Sequence, residues 1–366
     1  MDGDKDDLYA LTLLVAQHYY KRIFIMGVVL CDGFFSYPEN VSITNFWLKN
    51  ILKYDKIRTY SGMRRDDYLR QERKFPDIFL KGFIDVMTEH FGYQGPNTKA
   101  NDNSLNELVH DINKEKDESI RVLTTGNLTT LSYLLDKYKF IKMKIASVLC
   151  MGGNYKVKGN IVQQDPSNPK ILLPDSEYNF YLDPTSALNV ISHLPGKIYI
   201  CPLDCTNYAP LTLGIVDDIR KIGDKYLQRS NNEFINNLYR QFIKLLRLTL
   251  FTQDADLYLW DLVATVLFLG NDIKQEYAVN NISIDWTGRI IDSLSLENNS
   301  VVLYTFIDFE RLKTKAIENI FYPIPESNFG NSSEPFAHPI VTSFLPYENF
   351  TNSLYISTLN EWVWGR

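Results

Sequence analysis

The sequence lacks several features, and each absence excludes a class of protein. It contains no run of about 18 apolar residues, and its best apolar segment, "IFIMGVVL", is only as long as a strand, so we expect no membrane-spanning helix. It has no excess of positive charge, because 38 Lys and Arg stand against 44 Asp and Glu, which argues against nucleic acids and anionic membranes as partners. The amino-terminal segment is acidic and lacks the basic stretch of a secretion signal, so we expect a cytoplasmic protein.

Cysteine is scarce as well. The four cysteines, Cys31, Cys150, Cys201 and Cys205, lie in apolar, strand-like surroundings without paired spacing. No histidine or second cysteine pair lies near Cys201 and Cys205, so we do not expect a zinc site. We predict four buried, reduced thiols, as is usual in cytosolic proteins.

The pattern of apolar residues predicts one α/β domain over residues 1–366. Four apolar segments read as strands, namely "RIFIMGVVLCDG", "SIRVLTTG", "KIASVLCMGG" and "KIYICPLD", and segments with helical spacing alternate with them. Such alternation is typical of an open, mostly parallel sheet covered by helices on both faces. Two polar stretches, at about 93–119 and 154–176, are expected to be insertion loops over an active face, and a Pro-rich stretch near the carboxyl end to be irregular.

The chain opens with "MDGDKDDLYALTLL", which places Asp2, Asp4, Asp6 and Asp7 at the start of the first predicted helix. Helix capping and the helix dipole explain one or two of these acids. Four carboxylates so close together repel one another and raise each other's pKa, whereas a bound cation would reverse that effect. Capping and metal binding therefore both remain open, with metal binding favoured.

The type of metal site follows from the spacing and the ligand chemistry. An EF-hand loop is excluded, because Asp7 stands where that loop needs Gly and Leu13 where it needs Glu. Oxygen ligands without nearby His or Cys favour Ca²⁺ or Mg²⁺ over zinc or copper. In open α/β sheets ligands bind beyond the carboxyl ends of the strands, so polar residues that follow strands, such as Asp32 and Thr125, are candidates to join this cluster.

Several segments together resemble the nucleoside hydrolases, the Ca²⁺-dependent N-ribohydrolases of purine and pyrimidine nucleosides. "DGDKDDLYAL" is similar to the amino-terminal motif of that family, and "VLTTGNLTTLSYLLDKY" to its strand, Thr-Gly turn and helix. "VLCMGGNYKVKGN", "SEYNFYLDPTSALNVI", "YICPLDCTNYAPL" and "DLYLWDLVATVLFL" resemble later family segments and occur in family order. The resemblance runs from residue 2 to about residue 275 and implies hydrolysis of an N-glycosidic bond.

The resemblance implies a role for particular residues. Ca²⁺ would be held by Asp2, Asp7, Asp261 and the main-chain carbonyl of Thr125, and Asp2 would also be the general base that activates water. The ribose would be bound by a set of polar residues and one methionine: Asp6, Asn160, Glu177, Asn179 and Met151. Family members are commonly dimers or tetramers, so a homodimer or homotetramer is implied by analogy only.

The resemblance also implies which residues would contact the leaving base. One family branch has a His directly before the late Asp, whereas this chain has Trp260 there, which resembles the branch that prefers inosine, adenosine and guanosine. In that branch the purine stacks between two aromatic rings, and Phe79 (or Phe75) would supply the second ring. Taken alone, Phe79 is better explained as a core residue than as a stacking residue.

Three departures from the family pattern stand out. The family begins with a buried strand that carries the acidic motif, and this chain starts at Met1 without it. Phe34 stands where the family has Asn or Asp, and Asp32 is the nearest residue that could substitute for it. Asp4 adds a further negative charge beside the metal ligands.

Two alternatives to a purine-preferring hydrolase therefore stay open. The first is a catalytically impaired relative that binds a nucleoside or Ca²⁺ without turnover. The second is an N-ribohydrolase for another leaving group, such as that of nicotinamide riboside.

Overall fold

The computed structural model describes residues 1–35, 37–66, 69–70, 73–75, 77–96, 104–161, 174–251, 257–293 and 300–323. Most of the predicted irregular Pro-rich stretch, and residues 162–173 of the second predicted insertion loop, lie outside these ranges. None of the helices in the described ranges combines the length and apolar character needed to cross a membrane. All four cysteines are buried and free, as predicted.

The described residues form two sheets. The strands are β1 (Val28–Leu30), β2 (Thr59–Ser61), β3 (Ile120–Thr124), β4 (Ile145–Met151), β5 (Ile198–Cys201), β6 (Glu276–Ile284), β7 (Ile290–Asp292) and β8 (Ser300–Phe306). The larger sheet has the order β3-β4-β5-β8-β6-β7, and β3, β4, β5 and β8 are parallel. Strands β6 and β7 run antiparallel at one edge, so the predicted mostly parallel sheet is confirmed.

Helices cover both faces of this sheet. They are α1 (Lys5–Tyr19), α2 (Tyr37–Phe46), α3 (Asp77–Phe91), α4 (Leu105–Lys114), α5 (Thr129–Lys137), α6 (Ile141–Lys144), α7 (Tyr178–Leu182), α8 (Pro184–His193), α9 (Leu203–Thr206), α10 (Leu213–Leu227), α11 (Glu233–Thr249), α12 (Trp260–Phe268) and α13 (Phe309–Phe321), with a π-helical turn at Trp47–Ile51. Side chains alternate along β4. Leu149 and Met151 belong to one buried cluster, which includes α1 and α11, whereas Val148 and Cys150 belong to the other, which includes α5 and α8.

The first three residues lie between the smaller β1–β2 sheet and the turn that follows β3. The Met1 amino group donates to the carbonyl of Val29 (3.2 Å), and the N–H of Cys31 donates to the carbonyl of Met1 (2.9 Å). On the other side, a Cβ at Gly126 would stand only 3.1 Å from the Cβ of Asp2. The first regular element in the described part of the chain is α1. This arrangement places the acidic motif at the carboxyl ends of β1 and β3.

The stretch 93–119 is not a loop throughout, which corrects the sequence prediction. It contains α4, which begins after Ser104, whose hydroxyl accepts the N–H of Asn106. Leu108, Val109 and Ile112 form its buried face and pack in the same cluster as Tyr60 of β2. The helical spacing of these apolar residues was readable in the sequence, but the surrounding polar residues obscured it.

Candidate functional site

One cavity of about 380 Å³ opens at the carboxyl ends of the strands. Thr125 follows β3, Met151 ends β4 and Leu203 follows β5, and all three contribute to its lining. Ten of the predicted site residues line it together: Asp2, Asp6, Phe79, Thr125, Met151, Asn160, Glu177, Asn179, Trp260 and Asp261. The cavity therefore lies where ligands bind in open α/β sheets.

Buried carboxyl groups form one end of the cavity. Asp2, Asp6 and Asp261 are each less than 8% exposed. Burial raises the pKa of Asp2, and repulsion from Asp7 and Asp4 raises it further. Burial likewise raises the pKa of Asp261, followed by repulsion from Asp6 and Asp7. This end of the cavity thus favours either protons or a bound cation.

Asp7 lies beneath this end and does not line the cavity. Its Oδ2 accepts the N–H groups of Asp2 (2.9 Å) and Gly3 (2.7 Å), and its Oδ1 accepts the hydroxyl of Thr125. A carboxylate has about four acceptor lone pairs, so these three bonds leave capacity for one more ligand. Gly3 adopts φ +93°, a left-handed conformation that glycine favours, which allows its N–H to point at Asp7.

Asp4 and Lys5 show that capping accounts for one acid of the cluster. Asp4 is the N-cap of α1, and its carboxylate accepts the main-chain N–H of Lys5 (2.6 Å) and pairs with the Lys5 ammonium (3.1 Å). Lys5 is buried, lines the cavity and lies 5.5 Å from the centre of the Phe34 ring. Our sequence analysis missed Lys5, although its position inside the acidic motif was a usable signal.

No three carboxylate, imidazole or thiolate side chains in the described ranges are arranged as a ready-made metal site. The predicted ligands nevertheless fit a hard cation. The carboxyl groups of Asp2, Asp7 and Asp261 are buried near other acids, and a bound cation would offset the repulsion among them. Thr125, the fourth predicted ligand, lies against Asp7 through its hydroxyl.

Glu177 and two asparagines line a second polar part of the cavity. Glu177 is the N-cap of α7, and its carboxylate accepts N–H groups from Gly153 (2.7 Å), Asn179 (2.8 Å) and Phe180 (3.2 Å). Burial raises the pKa of Glu177 to about 7, although these three N–H bonds act in the opposite direction. The Asn179 amide donates to the carbonyl of Met151 (3.2 Å), which joins two predicted substrate residues.

Asn160 holds the neighbouring segment in place. Its side-chain oxygen accepts the N–H of Tyr178 (3.0 Å), so the side chain is engaged within the protein as well as exposed to the cavity. Hydrogen bonds to the main chain therefore orient the side chains of Glu177, Asn160 and Asn179 in this part of the lining.

Aromatic rings also contribute to the lining of the cavity. Phe34, Phe75 and Tyr178 form what we call the aromatic wall: the rings of Phe75 and Tyr178 stack at 4.1 Å, and that of Phe34 meets Phe75 edge-on at 5.0 Å. Tyr258 and Trp260 lie against each other at 5.6 Å, and all five rings contact the cavity. The sequence analysis named Phe79, Trp260 and, as an alternative to Phe79, Phe75, but it missed Tyr178 and Tyr258.

Asp32 corrects the sequence prediction, because it does not line the cavity. Its carboxylate pairs with Arg70 (2.6 Å), and its carbonyl accepts N–H groups from Arg65 (2.9 Å) and Asn127 (2.8 Å). These contacts hold Asp32 inside the protein, so Asp32 supports the cavity instead of binding its contents. Phe34, two residues later, occupies the lining position.

No histidine belongs to the described lining of the cavity. His18 accepts the N–H of Ile25 and packs on Phe24 and Tyr54, and His193 pairs with Asp136. The side chains of His18 and His193 are therefore engaged in contacts within the protein.

The sequence is similar to those of known nucleoside hydrolases. The family profile described as "Inosine-uridine preferring nucleoside hydrolase" matches residues 1–313. A pyrimidine-specific ribonucleoside hydrolase, RihA, of Photobacterium profundum is 32% identical over 122 residues, which are 33% of this chain and 35% of that protein. The uridine nucleosidase of Saccharomyces cerevisiae is 24% identical over 251 residues, or 66% of each chain. Several matched curated relatives are thus aligned over only about a third of their own length.

Solved structures share the fold. An inosine-uridine preferring nucleoside hydrolase from Bacillus anthracis has a TM-score of 0.63 at 20% identity, covering 87% of this chain and 96% of that chain. A purine-preferring ribonucleoside hydrolase from Gardnerella vaginalis has a TM-score of 0.61 at 18% identity, with the same coverage. Since the family profile covers most of the sequence and the fold agrees, this chain belongs to the inosine-uridine preferring nucleoside hydrolase family.

Proposed function

We propose that the protein hydrolyses the N-glycosidic bond of ribonucleosides to give ribose and the free base. The observation that carries this proposal is the composition of one cavity, in which buried carboxyl groups lie at one end and aromatic rings line another part. A sugar diol and a planar base need these two environments side by side. Release of free base from inosine and uridine, with and without a calcium chelator, tests the proposal directly.

The proposed metal is Ca²⁺, held by Asp2, Asp7, Asp261 and the carbonyl of Thr125. Its fit rests on the raised pKa of Asp2 and Asp261, which results from burial and from mutual repulsion, and a bound cation would relieve that repulsion. When bound, Ca²⁺ would supply a hard positive charge that attracts hydroxyl and water oxygens.

Asp2 is the proposed general base. During hydrolysis the bond between the sugar and the nucleobase breaks through a transition state that resembles an oxocarbenium ion, and a water molecule adds to the sugar. This water must lose a proton, which a general base accepts. The carboxyl of Asp2 borders the cavity and also the buried acid cluster, which supports Asp2 as the acceptor of that proton. Asp6, Asn160, Glu177, Asn179 and Met151 are the proposed contacts of the ribose.

Trp260 and Phe79 are the proposed stacking residues for the base. A ring that stacks on the base is typically worth about 1–3 kcal/mol and tolerates different bases. We propose a preference for purines, since Trp260 stands in place of a histidine; the matched relatives include both pyrimidine-specific and purine-preferring proteins. Poor turnover of all purine nucleosides would favour another leaving group.

Replacing Phe79 by Ala is expected to raise KM for inosine about 5- to 150-fold, the equivalent of losing about 1–3 kcal/mol of stacking. Calcium affinity should not change, because an apolar phenyl ring supplies no oxygen ligand to Ca²⁺. Steady-state kinetics and calcium titration check this. Phe251→Ala is the matched control, since Phe251 is 72% exposed and outside the cavity lining. An unchanged KM would remove Phe79 from the base site.

The raised pKa of Glu177 predicts a pH dependence. Because this pKa is about 7, the carboxylate that would accept a ribose hydroxyl is largely protonated at pH 6 and largely ionised at pH 8. We therefore expect kcat/KM for inosine to fall about tenfold per pH unit below pH 7, a limb that Glu177→Gln should lose. The same acid limb in Glu177→Gln would assign the titration to another group.

A catalytically impaired relative remains the second candidate. The observation that favours it is Phe34, a buried apolar side chain that lines the cavity where the family has Asn or Asp. Saturable inosine binding by calorimetry, with no release of hypoxanthine over hours, would select this alternative. In either case we propose a small-molecule ligand, no nucleic acid or membrane partner, and a homodimer or homotetramer.

A further inference from the structure

Three separate segments of the chain supply the aromatic wall. Phe34 follows β1, Phe75 lies just before α3, and Tyr178 begins α7. Among the described residues, none of these segments pairs with another in a sheet or belongs to the same helix, so local backbone structure alone does not set the distances between the three rings. The three rings pack on one another, and side-chain hydrogen bonds add to these contacts in holding the segments together.

The guanidinium of Arg65 contacts all three. Its Nε donates to the carbonyl of Asp32 (2.9 Å), two residues before Phe34. Its Nη1 donates to the carbonyl of Arg73 (2.9 Å), two residues before Phe75, and to the carbonyl of Leu182 (3.2 Å), at the end of α7. Arg65 is only 4% exposed and does not line the cavity itself.

A buried guanidinium suits this task for a chemical reason. It carries five N–H donors in a rigid planar fork, so one side chain can bind several carbonyls in fixed relative positions. A lysine has three donors on a single atom and cannot reproduce that spread. A buried cation that loses these acceptors would be strongly unfavourable, which favours the arrangement in which all three segments stay close.

We infer that Arg65 is a positioning residue for the base-binding half of the cavity, acting through the aromatic wall and touching neither base nor ribose. This inference rests on the proposed function and on one further assumption, that the aromatic wall, which lines the same cavity as Phe79 and Trp260, also meets the base. Neighbouring Arg73 extends the same support, since its guanidinium donates to the carbonyl of Tyr181 (2.7 Å) and lies over the Tyr181 ring.

The test compares Arg65→Met and Arg65→Lys with Arg58→Met, in which an exposed arginine paired with Asp111 is lost. We expect Arg65→Met to raise KM for inosine at least tenfold while kcat falls less than threefold and the inhibition constant of free ribose changes less than twofold. Arg65→Lys should stay within threefold of Arg65→Met, because charge without the fork does not suffice. Arg58→Met should match the wild type.

Hydrogen–deuterium exchange gives a second readout that needs no substrate. In Arg65→Met, exchange should rise together in residues 32–35, 69–75 and 177–182 and stay unchanged in α1. Full recovery by Arg65→Lys, a parallel loss of ribose and inosine binding, or exchange that rises throughout the protein would overturn the inference. Should the wild type hydrolyse no nucleoside, the proposed function fails, and the exchange pattern alone still decides the role of Arg65.

Discussion

Asp2→Asn is expected to lower kcat for nucleoside hydrolysis by about 10²–10⁴-fold, the range in which a positioned general base contributes. The amide keeps the shape and burial of Asp2, which is 4% exposed, but it cannot accept the proton of the attacking water. Ribose should still bind, although more weakly, because Glu177 and Asn179 remain in place. Release of free base, measured with saturating inosine, together with the inhibition constant of ribose, checks this expectation.

Asp4→Asn is the matched control for this variant. Asp4 belongs to the same motif and lines the same cavity, but its carboxylate caps α1 and pairs with Lys5. Because Asn is as good an N-cap as Asp, Asp4→Asn should keep α1 intact and leave kcat within about tenfold of the wild type. Activity that survives Asp2→Asn, or that falls equally in both variants, would show that Asp2 is not the base.

Removing calcium is expected to abolish turnover and to lower the melting temperature. A cation that binds only the folded protein stabilises it by about 2.7 kcal/mol at one hundred times its dissociation constant. The effect should be large here because Asp2, Asp6 and Asp261 are buried together and their pKa is raised when no metal is present, by burial first and by mutual repulsion second. Turnover and melting temperature, measured with chelator and with added Ca²⁺, check this expectation.

The effect should also depend on pH, and its sign follows from the pKa shifts. A carboxyl whose pKa is higher in the folded than in the unfolded protein contributes stability at low pH, and that contribution is lost as the pH rises through the folded pKa. The metal-free protein should therefore lose stability from these groups toward neutral pH, where added Ca²⁺ raises the melting temperature most. The calcium-induced increase should shrink as the pH falls toward about 4, the ordinary aspartate pKa.

Asp261→Asn provides the control for the calcium experiment. It removes one proposed ligand and one repelling charge, so its melting temperature should respond less to calcium and less to pH than that of the wild type. Magnesium should substitute poorly, because it demands a more regular octahedral site. If chelation changed neither turnover nor melting temperature, the acidic motif would have to be explained by capping and substrate contacts alone.

Much of the architecture followed from local sequence patterns. The apolar residues after the acidic motif predicted a first helix, which the structure places at Lys5–Tyr19, and the apolar segments around Val122, Val148 and Ile200 predicted three of the parallel strands. These predictions succeeded because helical and strand periodicity depend on neighbours only a few residues away. In 93–119 the same kind of signal was present but overlooked, and α4 was missed.

The candidate site, too, was predicted from the sequence in part. The residues that the family resemblance named, from Asp2 to Asp261, meet in one cavity, although it leaves Asp7 beneath the lining and Asp32 paired with Arg70. The direction in which a side chain points after a strand depends on which partner it finds, and Arg70 lies far from Asp32 in the chain. Lys5, Tyr178 and Tyr258 also line the cavity, and although they lie inside segments that resemble the family, the sequence assigned them no role.

The sequence by itself determined the acidic motif, the alternation of strands and helices, and the absence of histidine next to Asp261. Only the tertiary structure decided that Thr125 donates to Asp7 across 118 positions, that Glu177 is buried enough for its pKa to reach about 7, and that Arg65 joins three segments. The physical reason is that periodicity is a property of a few neighbouring residues. Burial and hydrogen-bond partnership, in contrast, arise when distant segments pack together and exclude water.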